Sequence, residues 1–191
     1  MPSLNVNILN EIFDELKINS PDEYSIFVET GTSFGNTIRL VQPYFELLHT
    51  IEIKKEIYDS FYLNHPQYEN VIRHFGDSCE ILPQILTSLD KNSKCLFWLD
   101  GHYSSGESGR GEKDVPLIEE CKIINQTYKS KYAVILIDDY RLFGTNKDEN
   151  WLDITDDNVI NSFDRLKILN TIIGKNDMMA LFVENSKYEE S

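Results

Sequence analysis

Ile8, Leu9, Ile12, Phe13 and Leu16 fall on one stripe of a helix, which INSPDE then ends. Beyond it, short apolar runs alternate with stretches of helical period. SIFVE reads as a buried strand, Asn36 to about Phe45 as a helix with Pro43 near its end, and LLHTIEI as a second strand ending at Glu52. KKEIYDSFYLN predicts a helix, YENVIRHF a third strand, and Cys79 to about Leu89 a further helix. KCLFWLD is a fourth strand, apolar until it stops at Asp100, and the glycine-rich GHYSSGESGRGEKD after it is a loop of unusual length. VPLIEECKIINQTY predicts a helix that tolerates Pro116 in its first turn, and YAVILID is the fifth and most apolar strand. DYRLFGTNKDENWLDITDDN is mostly loop and leads to a short helix from Val159 to Leu166. LKILNTIIG and MMALFVE then read as two strands joined by the tight turn KND.

Continuous apolar strands separated by helices predict an α/β fold, with a mostly parallel sheet covered on both faces. The terminal pair adds an antiparallel edge. No repeat or linker interrupts the pattern, so residues 1–191 are expected to form one domain. The strand ends share a feature. Glu29, Glu52, Asp77, Asp100 and the pair Asp138–Asp139 all fall at or just past the carboxyl ends of the expected parallel strands. That edge of an open α/β sheet is where ligands bind. Unpaired charge is costly to bury, so a row of acids there needs a reason.

Charge narrows the partners. The chain carries 32 acids against 18 bases, a formal net charge of -14, which repels nucleic-acid backbone and anionic membrane. A small-molecule substrate fits better. Cys79, Cys95 and Cys121 have no metal-knuckle or redox spacing and read as reduced thiols of an intracellular, cytoplasmic protein. MPSLNVNILNEIFDEL has acids where a secretory signal has bases, and no apolar run reaches the roughly 20 residues that span a bilayer. Trp151, Leu152 and Ile154 are apolar in a polar segment; they serve either a homodimer contact or their own sheet.

The candidate chemistry lies in two groups. Glu29, Gly31, Thr32, Ser33 and Gly35 sit at a strand-to-helix turn, where glycines let backbone approach a ligand. The glycine spacing fits neither a dinucleotide fingerprint nor a phosphate-binding loop, and a plain tight turn explains it equally well. Glu52, about 20 residues on, is placed to take both hydroxyls of a ribose, and Asp77 to face an adenine. The second group is Asp100, Asp138 and Asp139, hard oxygen donors suited to Mg²⁺, with Mn²⁺ or Ca²⁺ as alternatives. Loop or helix capping is the ordinary reading of the same acids. His102, two residues past Asp100, suits a general base near neutral pH, a metal ligand or a loop contact. His49, His65 and His74 read as structural or exposed.

ETGTSFGNT at Glu29–Thr37, with Glu52 at the next strand end, resembles the cofactor loops of class I S-adenosylmethionine (SAM)-dependent methyltransferases. FWLDGHYSSG (Phe97–Gly106) and VILIDDY (Val134–Tyr140) resemble the metal-dependent sugar O-methyltransferases of macrolide (macrocin) and aminocoumarin pathways. The resemblance implies a Rossmann-like sheet of seven strands with a C-terminal antiparallel hairpin. It implies that Glu29 to Gly35 wrap the methionine part of SAM, that Glu52 binds the ribose and that Asp77 faces the adenine. Asp100, Asp138 and Asp139 would hold Mg²⁺, and the acceptor would be a sugar or small vicinal diol. His102 stands where that family's motif has a second acid and would take the place of its base. The loop from Tyr103 to Lys113, with Arg110, is expected to act as a lid. A dinucleotide-dependent oxidoreductase and a non-catalytic binding protein on the same fold are the rival expectations.

Overall fold

The computed structural model describes residues 4–19, 21–64, 68–104, 109–146 and 149–189. Helix α1 (Val6–Glu15) begins at Asn5, whose side-chain oxygen accepts the amides of Asn7 and Ile8 at 3.1 and 3.3 Å. Then follow β1 (Ile26–Thr30), α2 (Asn36–Val41), β2 (Leu47–Glu52), α3 (Lys55–Asn64), β3 (Val71–Phe75), α4 (Ser78–Ser88) and β4 (Cys95–Leu99). After the long loop come α5 (Leu117–Thr127), β5 (Tyr132–Ile137), α6 (Asp156–Ile160), β6 (Leu166–Lys175) and β7 (Met178–Asn185). Helix α2 is shorter than its apolar pattern suggests: it tightens at Gln42–Tyr44 into a single 3₁₀ turn around Pro43.

The strands form one seven-stranded sheet in the order β3-β2-β1-β4-β5-β7-β6. Pairing is parallel from β3 through β5, and β7 runs antiparallel to both of its neighbours. Successive residues of the central strands point to opposite faces, and both faces are buried. Val28, Phe97 and Ile135 meet Leu82, Ile85, Cys121, Ile124 and Val159 under α4, α5 and α6. Phe27, Leu96, Trp98, Val134 and Leu136 meet Leu9, Ile12, Phe13, Ile38 and Phe61 under α1, α2 and α3. This is why the strands read as unbroken apolar runs.

One expectation needs correction, and one open choice is decided. The helix placed at Val159–Leu166 lies at Asp156–Ile160, and Leu166 already opens β6. Thr155 sets the start by accepting the Asn158 amide at 3.2 Å, with Asp156 and Asp157 favourable in the first turn. Trp151 and Ile154 are buried in this chain's own core on the α4/α5 side, so they are not a free dimer contact; of the three, Leu152 is exposed. His49 is buried and pairs with His74 across β2 and β3 at 3.0 Å, whereas His65 lies outside the described residues. The three cysteines are free thiols. Among the described residues, no helix is long and apolar enough to cross a membrane.

Candidate active site

Chain order reverses between β1 and β4: β2 and β3 extend one way from β1, and β4 and β5 the other. A crevice forms at the carboxyl ends of strands around such a switch point. Here it is a cleft of about 620 Å³. Its wall at β1 depends on two glycines. Gly31 has φ +82°, and a Cβ there would lie 2.5 Å from the Asp100 carbonyl oxygen. Gly35 has φ +70° before α2, and its Cβ would meet the Phe61 ring at 2.4 Å. The glycines are therefore required by close packing at positive φ.

The first group of candidate residues divides in two. Gly31, Ser33, Glu52 and Asp77 line the cleft. Glu29, Thr32 and Gly35 do not; they build the wall behind it. Glu29 is 1% exposed and accepts from Thr50 Oγ1 at 2.5 Å, while Thr32 Oγ1 bonds Thr50 Oγ1 at 2.5 Å. Burial pushes the Glu29 carboxyl up to about 8, against the lowering effect of the Thr50 bond. Glu52 accepts the Ser33 amide on Oε2 at 2.9 Å and the Lys54 amide on Oε1 at 2.8 Å. One carboxylate thus fixes the loops after β1 and β2 while it lines the cleft. Burial also raises the Glu52 carboxyl, and these backbone bonds oppose the shift. Asp77 caps α4 by accepting the Cys79 amide at 2.8 Å.

Across the cleft, β4 and β5 deliver Asp100, His102 and Asp139. One ligand atom from each lies within 4.8 Å of the others. His102 sits between the two carboxylates, with Nδ1 3.8 Å from Asp100 Oδ1 and Nε2 3.3 Å from Asp139 Oδ2. Its ring meets Trp151 edge-on at 5.1 Å, and Trp151 Nε1 donates to Glu149 Oε2 at 2.9 Å. Burial lowers the His102 pKa and so favours the neutral ring, an effect that Asp139 opposes. Burial first, then Asp138, Asp139 and Glu29, raise Asp100 well above the usual carboxylate range. Asp138 also lines the cleft, and burial brings its carboxyl up to about 6. Asp138 is not part of the trio. Asp139 adopts φ +57°, a left-handed conformation that turns its side chain back towards His102.

Residues in and behind the cleft add to those the sequence singled out. Arg141 pairs with Asp139, and Phe34, 62% exposed, stands at the mouth. Glu120 of α5 is buried beneath Gly101, beside Thr30, and burial brings it up to about 7. The loop after β4 runs back over the ends of β2 and β3. A Cβ on Gly109 would meet Ile53 Cγ2 at 2.3 Å, and one on Gly111 would meet Asp77 Oδ2 at 2.6 Å. The Tyr103 amide donates to the Asp114 carbonyl at 2.8 Å, and Arg110 Nε to Asp114 Oδ1 at 2.7 Å. Residues 105–108 of the expected lid lie outside the described residues. For the loop after β4 the sequence signal is the density of glycine and charge in 101–114.

No protein-family profile and no curated protein sequence matches the chain. Solved structures do. One is the O-methyltransferase TomG from Streptomyces achromogenes, involved in tomaymycin synthesis and solved in complex with SAM. It is 13% identical with TM-score 0.60, over 93% of this chain and 80% of that one. Another is an O-methyltransferase from Bacillus cereus in complex with S-adenosylhomocysteine (SAH), 12% identical with TM-score 0.60, over 96% of this chain and 84% of that one. At such identities the likeness establishes the fold. It is the Rossmann-like class I methyltransferase arrangement; the antiparallel terminal pair that the strand pattern predicts is present, with β7 between β5 and β6.

Proposed function

We propose that the chain transfers the methyl group of SAM to a hydroxyl of a small acceptor, a sugar or vicinal diol, with a divalent cation assisting. The observation that carries this reading is the convergence of Asp100, His102 and Asp139 in the same cleft as Glu52. The residues fit a cofactor of this kind. Glycine backbone closes the wall at Gly31, where a side chain has no room. Glu52 presents a carboxylate at the second strand end for the ribose, and Asp77 lies at the third for the adenine side. Two carboxylates and a neutral imidazole are a reasonable donor set for a divalent ion. The imidazole favours Mn²⁺ over Mg²⁺ or Ca²⁺.

Methyl transfer breaks a carbon–sulfur bond, forms a carbon–oxygen bond and releases the hydroxyl proton. A sulfonium methyl is already activated, so the protein's tasks are alignment and exclusion of water. Phe34, Leu142 and Trp151 give the cleft apolar wall. A bound divalent ion would polarise the acceptor hydroxyl and stabilise its alkoxide form. In this reading His102 serves as third ligand in place of the base suggested by sequence, and Asp138 faces the same space as a proton acceptor. Titration calorimetry with SAH, with and without Mn²⁺, tests the proposal. Micromolar SAH binding together with saturable Mn²⁺ binding is the expected result. A chain that binds neither would overturn it, and one that binds nicotinamide dinucleotide instead would revive the oxidoreductase.

A further inference from the structure

Asp139 divides its two carboxylate oxygens. Oδ2 faces His102 Nε2 at 3.3 Å, and Oδ1 accepts from Arg141 Nη1 at 2.5 Å. The same Nη1 also pairs with Asp177 Oδ2, in the turn between β6 and β7. Asp177 is well placed as a second anchor. Its Oδ1 accepts the Arg141 amide at 2.9 Å, and its carbonyl accepts the Tyr140 amide at 2.9 Å. Arg141 is partly exposed and lines the cleft, so its guanidinium has room to move.

We infer that Arg141 is the resident counter-ion of Asp139 and withdraws onto Asp177 when a divalent cation loads. The inference rests on the metal reading above and adds a competitor to it. Asp100, Asp138 and Asp139 crowd three carboxyls into one partly buried space, which is costly without compensating positive charge. The guanidinium supplies that charge at Asp139. A cation taking the other Asp139 oxygen lies within one carboxylate of the guanidinium, and the two repel. Asp177 already holds the arginine through both backbone and side chain, so leaving Asp139 requires rotation of one side chain and no rearrangement of the sheet. The exchange leaves Asp139 with a positive partner with or without the ion. It also holds cation affinity below what the three donors alone would give.

The test is Mn²⁺ binding by calorimetry and electron paramagnetic resonance on the full chain. It compares wild type, Arg141→Met, Asp177→Asn and the double variant, with thermal melts confirming that each is folded. Arg141→Gln replaces Arg141→Met if the latter fails to fold. Removing the competitor should tighten Mn²⁺ about tenfold or more, the scale expected for one like charge at this range. Asp177→Asn keeps the Oδ1 acceptor but weakens the refuge. It should therefore loosen Mn²⁺ in the wild-type background and have no effect once Arg141 is gone. An equal loss in both backgrounds means plain attraction of the ion by Asp177 and overturns the exchange. Unchanged affinity in Arg141→Met overturns it too, while leaving the metal site standing. Absence of Mn²⁺ binding in all four proteins overturns the metal reading itself, and the exchange with it.

Discussion

A Cβ on Gly31 would lie 2.5 Å from the carbonyl oxygen of Asp100, so the loops after β1 and β4 meet backbone to backbone. This contact sets the spacing between the proposed cofactor wall and the proposed metal ligands. Gly31→Ala combines a left-handed φ of +82° with a clash against main chain that has no rotamer to yield. The conformation costs about 1–2 kcal/mol and the overpacking about 1–3 kcal/mol. The expected outcome is a lowered denaturant midpoint together with loss of SAH binding. Wild-type stability in this variant would mean that the loop moves aside freely.

Glu52 accepts two backbone amides, from Ser33 and Lys54, and still faces the cleft. Glu52→Ala removes the acceptor that fixes both loops and the carboxylate proposed for the ribose. Losing hydrogen bonds to a charged group costs about 1.5–3 kcal/mol, so SAH affinity should fall at least tenfold. Calorimetry on a variant shown to be folded measures this. Unchanged affinity would remove Glu52 from the cofactor site.

The fold was legible because the central strands β1, β4 and β5 are apolar runs with both faces buried, and such runs announce themselves without tertiary information. Glu52, Asp77 and Asp100 were legible because each stops such a run or follows it closely. Position alone could not tell Glu29, turned inward onto Thr50, from Glu52, turned into the cleft: both are acids at strand ends. Nor could it separate Asp138 from Asp139, since the difference lies in the left-handed backbone of Asp139. Arg141 and Trp151 reach the cleft from an irregular segment whose path depends on long-range contacts. Sequence left Trp151 open between a dimer contact and its own sheet, because the rings it packs on, His102 and Phe143, come from separate loops.

Burial brings the Glu29 carboxyl up to about 8, from 4.5 as the ordinary value. Between those values the folded chain binds a proton at Glu29 that the unfolded chain does not. Stability from this group is therefore complete below about pH 4.5 and falls as pH rises towards 8. Glu120, at about 7, acts in the same direction. Glu29→Gln keeps an acceptor for Thr50 and removes the titration. Its unfolding free energy should decline less steeply than wild type between about pH 5 and 8, by up to about 1.4 kcal/mol per pH unit at most. Denaturant melts across that range give the slopes. Parallel slopes would place the Glu29 titration outside the window.

Asp139 and His102 come from loops after neighbouring strands, and their side chains approach to 3.3 Å. If the pair belongs to a coordination set, removing either should weaken the ion before it affects the cofactor. Asp139→Asn and His102→Ala are therefore expected to lose Mn²⁺ binding while retaining SAH, whose proposed anchor Glu52 lies across the cleft. Activity should follow: transfer to a panel of sugars and vicinal diols abolished by chelator, restored by Mn²⁺ or Mg²⁺ in the wild type, and not restored in Asp139→Asn. His102→Ala separates the two chemical roles of the imidazole. A ligand's removal costs metal affinity, and excess Mn²⁺ partly rescues turnover. A general base's removal leaves Mn²⁺ affinity intact and lowers the rate by about 10²–10⁴-fold at every metal concentration. Full activity of the wild type in chelator, once an acceptor is found, would dismiss the metal and leave the trio as a hydrogen-bonded loop clasp.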